Sequence, residues 1–116
     1  MAKSTDSEIA FHLSTLLVDL RALSALSIVS SREGWVSTTL PMLAHTAGIC
    51  TALGTCLDGE PARIALALTQ NIGALKPPPD SNIETWKSIN EACKLLLDEL
   101  SALGIKPWTF PAPVKA

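Results

Sequence analysis

Apolar residues recur at steps of three and four along most of this chain. Near the start they are Ile9, Leu13, Leu16, Leu20 and Leu23, the spacing of one helix face. Near the end, Trp86, Ile89, Cys93, Leu96, Leu97, Leu100 and Leu103 fall on one side. Glu84, Lys87, Glu91, Lys94 and Asp98 fall on the other. No stretch alternates apolar and polar residues long enough for a strand, and no hairpin dipeptide separates two β-rich runs. The pattern predicts an all-α chain with helices over about 6–30, 38–57, 60–75 and 82–103. We expect an up-and-down four-helix bundle in a single domain, 1–105, followed by an extended Pro-rich tail at 106–116.

Local signals set these limits. Thr5-Asp6-Ser7-Glu8 and Ser81-Asn82-Ile83-Glu84 both read as capping boxes. Ser30 to Gly34 reads as a loop. Pro41 suits the first turn of the second helix, and Asp58-Gly59 ends it, with Asp58 capping the third. Lys76-Pro77-Pro78-Pro79-Asp80 reads as a stiff connector. Gly104 is placed to take a left-handed cap at the end of the fourth helix, with Ile105 folding back.

The first two helices differ from the last in having apolar residues around most of their circumference. Opposite its main stripe, the first helix carries Phe11, Val18, Ala22, Ala25 and Val29. From Gly34 to Leu57 there is no Lys, Arg, Asp or Glu at all. In that run Met42 and Ile49 widen the apolar arc, and Ala44, Gly48, Thr51, Ala52 and Thr55 form a face of small residues. Burying a large apolar side chain contributes roughly 1.5–3 kcal/mol. Leaving all of these wet forfeits several such contributions and creates the kind of patch that marks an interaction site. A compact packing that wraps the first helix centrally is the competing account.

Composition sharpens this picture. Charged residues make up 17% of the chain, against a typical value of about 25%. The net charge of −2 comes with no basic stripe, which argues against direct nucleic-acid binding. The uncharged run is long enough to span a bilayer, but Ser, Thr, Gly, Pro41 and His45 interrupt it, and no Lys/Arg cluster flanks it. We therefore expect no membrane span. The first eight residues contain Lys3, Asp6 and Glu8 and no apolar signal block, so free thiols and a cytoplasmic location are expected.

Candidate chemistry is sparse. His12, His45, Cys50, Cys56 and Cys93 lack the close ligand pairs of a zinc site. Cys50 and Cys56 lie in a helix among Leu and Ala, without the positive surroundings that activate a thiolate. The carboxylates, Asp19 among them, are assigned to solvated faces, and no phosphate loop is present. The expectation is no enzyme, no metal and no cofactor. In the tail, Trp108 and Phe110 stand on a proline-stiffened segment suited either to docking on a partner or to capping its own bundle.

In size, acidity and lack of catalytic groups, residues 5–104 resemble the small all-helical anti-activators that bacteria use against quorum-sensing transcription factors. That resemblance implies a protein target, a transcriptional regulator whose dimerisation or DNA binding is blocked. It carries over no individual residue. The function expected is thus a regulator or adaptor, itself a homodimer, that covers a surface its target needs. Its contact residues are Phe11, Val18, Ala22, Ala25, Val29, Met42, Ile49, Trp108 and Phe110. A bundle holding a small apolar ligand between the second and third helices is the alternative. A metal- or thiol-dependent enzyme is a more distant one.

Overall fold

The computed structural model describes residues 5–29 and 31–107, with the side chains of Ile28 and Val29 left out. The described residues form four long helices and no strand. Helix α1 spans Asp6–Val29, α3 Leu40–Cys56, α4 Gly59–Gly73 and α5 Ile83–Ala102. A short helix α2, Arg32–Gly34, and a π turn, Trp35–Thr39, lead directly into α3.

Several sequence signals become visible as hydrogen bonds. The Glu8 amide donates to Thr5 Oγ1 at 3.2 Å, capping α1. Gly104 adopts φ +81. Its amide donates to the Ser101 carbonyl at 2.9 Å, and the Ile105 amide reaches back to the Leu100 carbonyl at 2.8 Å. This is a Schellman ending, and it buries Ile105 against the core.

Two boundaries differ from the sequence reading. Residues 31–34 are not a loop. Ser31 Oγ accepts from the Gly34 amide at 3.0 Å, and the Ser31 carbonyl accepts from Trp35. Helical backbone therefore begins at Arg32, and Trp35 becomes a core residue, 4% exposed. At the start of α5 it is Asn82 that occupies the cap position. Its side chain turns back to the connector, bonding the Lys76 amide and carbonyl at 2.8 Å each. Ser81 Oγ accepts from Ile83 instead.

The helices pack in sequence order: α1 on α3, α3 on α4, α4 on α5, with the π turn against α1 and α3. Leu13, Leu16 and Leu23 of α1 meet Cys50 and Leu53 of α3, Leu68 and Ile72 of α4, and Ile89, Leu96 and Leu100 of α5 in one core. At Gly54 the α3–α4 contact is close. A Cβ there would lie 3.3 Å from Leu66 Cδ2. The small residues of this seam thus let two helices approach. Among the described residues, α1 and α5 do not approach within 8 Å between Cα atoms. That open edge shapes everything that follows.

Candidate interaction surface and groove

Helix α1 divides sharply into two sides. Ile9, Leu13, Leu16, Leu20 and Leu23 are buried. On the opposite side Phe11 is 48% exposed and Val18 55% exposed. Ala25 is exposed and Ala22 half-buried in line with them. The wide apolar girth read from the sequence is therefore not wrapped up inside the protein.

The polar groups near this face are mostly engaged. Asp19, assigned to solvent by its position in the sequence, has a side chain only 14% exposed, and its Oδ2 lies 2.8 Å from His45 Nδ1 of α3. The pair spans the α1–α3 seam. Thr15 Oγ1 donates to the Phe11 carbonyl at 3.0 Å. On α3, Thr51 Oγ1 donates to the Ala47 carbonyl at 3.0 Å and Thr55 Oγ1 to the Ala52 carbonyl at 2.8 Å. Hydroxyls that bond back into their own helix spend their donors there. Alongside them Ala44 and Gly48 are exposed and uncharged, and a Cβ at Gly48 would touch nothing within 4 Å. The α3 surface beside the His45–Asp19 bridge thus carries no charge, whereas the α1 surface carries the exposed Arg21.

Met42 and Ile49 do not join this exposed patch. Both are half-buried and pack against the core. The side chain of Val29, and all of Trp108 and Phe110, lie outside the described residues.

The open edge between α1 and α5 forms a groove that periodicity alone did not reveal. Two compartments meet at Ser24, Trp86 and Asn90. One, of about 510 Å³, has Leu17, Leu20 and Cys93 in its walls. The other, of about 550 Å³, is bounded by Ser27, Asn82 and Lys87. The Trp86 indole N–H donates to Ser27 Oγ at 3.1 Å, tying α5 to α1 across the gap. The ring is thereby held between the compartments.

The Cys50 and Cys93 thiols sit in surroundings that keep them protonated. Burial pushes Cys50 up to about 12, with Cys93 adding to the effect and a hydrogen bond from Thr69 opposing it. Burial also raises Cys93. Thiols held protonated are poor nucleophiles. Among the described residues no three of His, Cys, Asp and Glu gather to hold a metal ion. One helix segment there, Asp6–Ser27, is long and apolar enough to cross a membrane by length and composition, and its inner side is the core face just described.

The chain matches no protein-family model, no curated protein and no solved structure.

Proposed function

We propose that this protein is a non-enzymatic regulator or adaptor that binds another protein through the outward face of α1. The observation that carries this reading is Val18. It is 55% exposed on a helix whose opposite side is core, in line with Ala22 and Ala25, and the neighbouring acid Asp19 is already taken up by His45. An exposed β-branched residue gains about 1.5–3 kcal/mol when a partner covers it, and Arg21, exposed one turn away, can keep its head group in water at the rim of the contact.

The scaffold in this reading is an up-and-down four-helix bundle with an extended Pro-rich tail. The protein works in the cytoplasm as a two-fold dimer, a symmetry in which the same patch serves both copies. Its action is steric: it occupies a surface its target needs. The resemblance to quorum-sensing anti-activators makes a transcriptional regulator the target of choice.

The test compares wild type with Val18→Asp and Ala22→Asp as bait on native lysate, with any captured regulator then purified and titrated by calorimetry. The expected result is one regulator bound by wild type and lost in both variants while their circular dichroism is unchanged. A captured regulator that binds both variants with wild-type affinity contradicts the reading.

A further inference from the structure

We propose that the chain's own C-terminal segment docks in cis on α1, with Trp108 and Phe110 seated over Ala10 and Ser14 at one end of the α1–α5 seam. Burial along one flank of α1 points there. Ala10, Ser14, Leu17, Arg21 and Ala25 follow at steps of three and four, so they share a stripe. At its start Ala10 is 7% exposed and Ser14 4%. Further along, Leu17 is half-buried, and Arg21 and Ala25 are exposed. The α3 helix lies on the other flank, where Asp19 meets His45. Neither α4 nor α5 comes within 8 Å of α1 between Cα atoms. The stripe is thus covered at one end only, as a short segment entering from that end covers it.

Register brings the end of the chain to this spot. The Trp86 indole N–H donates to Ser27 Oγ at 3.1 Å, and Cys93 and Leu20 line one compartment together. The step from Trp86 to Cys93 on α5 therefore matches that from Ser27 to Leu20 on α1, in the opposite direction. The same step continued sets Leu103 level with Ala10. It sets Pro107, where the described chain ends, level with the first turn of α1. By then Ile105 has turned the backbone inward, its amide on the Leu100 carbonyl at 2.8 Å. A proline-stiffened strand advances about 3 Å per residue, and α1 rises about 1.5 Å per residue. Trp108 and Phe110 accordingly come level with the turns that carry Ala10 and Ser14.

The chemistry fits this placement. Each aromatic ring buries about 150–250 Å², and proline stiffening lowers the ordering cost of docking. Ser14 Oγ donates to the Ala10 carbonyl at 2.8 Å, and a hydroxyl oxygen accepts as well as donates. The Trp108 indole N–H meets there the type of partner that Trp86 has in Ser27. Val18 stays uncovered, so the docked tail does not depend on the proposed protein interface.

Nuclear Overhauser measurements on the full chain test this. We expect contacts between the Trp108 ring and the Ala10 methyl, and none between copies in a mixed-label sample. Absence of any contact from Trp108 to α1 overturns the inference, and so does a contact seen only between copies. Alkylation of Ala10→Cys by iodoacetamide gives a second readout. It should be slow in the otherwise unchanged chain and about tenfold faster once Trp108→Ser and Phe110→Ser are added, with alkylation of Cys56 unaltered. An equal rate in the folded triple variant contradicts the docking. Val18→Asp should leave both readouts as they are.

Discussion

Helices α5 and α1 both contribute buried leucines to one core, yet their outer sides differ. Glu84, Lys87, Glu91, Lys94 and Asp98 hydrate the outside of α5 around the exposed Leu95, with Ile83 exposed at its start and Leu103 at its end. The outside of α1 shows Val18 and Phe11, with alanines between turns and Arg21 as its one exposed charge between Phe11 and Ala25. The apolar half of α5 needs one covering surface and has it in α4. The inward half of α1 is covered in the same way, and its outward half is not. The lesson is that a helix apolar on all sides is not thereby a central helix. In a protein this small, neighbours can reach only part of the circumference, and the remainder becomes surface.

The strongest challenge to that comparison is in the core. Leu16→Ala in α1 and Leu96→Ala in α5 remove side chains with no exposure at all. Each should cost about 2–5 kcal/mol in chemical denaturation, from lost transfer energy and the cavity left behind. Val18→Asp should change stability by no more than about 0.5 kcal/mol, the usual range for a surface site. If Val18→Asp costs as much as Leu16→Ala, the two sides of α1 are not different in kind.

The next effect is a pH dependence. The Cys50 thiol is neutral in the fold up to about 12, against an ordinary value of 9.0. Above pH 9 the unfolded chain loses this proton while the folded chain retains it, so the unfolded state gains and stability falls as pH rises from 9 to 12. Denaturation midpoints measured across that window should decline, and Cys50→Ala should flatten the decline. An equal slope in the variant would mean that the buried thiol is not its source.

Two glycines give smaller and opposite effects. Gly104, at φ +81, should lose about 1 kcal/mol on change to Ala, since a Cβ disfavours the left-handed region. Gly48 is exposed within α3, and a Cβ there meets nothing within 4 Å. Gly48→Ala should therefore raise the melting temperature, by the equivalent of about 0.5–1 kcal/mol. A stabilised Gly48→Ala protein that associates less well would extend the contact surface from α1 onto α3.

How much of this was readable beforehand depends on the distance over which each feature is determined. The end of α5 is local: Gly104 and Ile105 follow the helix directly, and their hydrogen bonds close within six residues. The burial of Ile89, Leu96 and Leu100 follows from spacing alone. Leu103 shares that spacing yet is 61% exposed, because it is the capping residue of α5, where the backbone has already left the helix. The loop composition of Ser31, Arg32, Glu33 and Gly34 hides the start of the second helical segment at Arg32. The sign to weigh was Ser31 three residues before Gly34, at capping distance, followed by an aromatic. Asp19 illustrates a different limit. Its partner His45 is 26 positions away, and no local pattern couples them. The groove was hidden for the same reason. Periodicity gives each helix its faces, but the gap at Trp86 depends on how far apart the backbones of α1 and α5 lie.

Sedimentation equilibrium across a range of concentrations tests the central claim most directly. The account predicts that wild type approaches twice the 12.3 kDa protomer mass as concentration rises, whereas Val18→Asp stays at one protomer with an unchanged helical spectrum. A wild type that remains a protomer at every concentration, or a folded Val18→Asp variant that dimerises equally well, would contradict it.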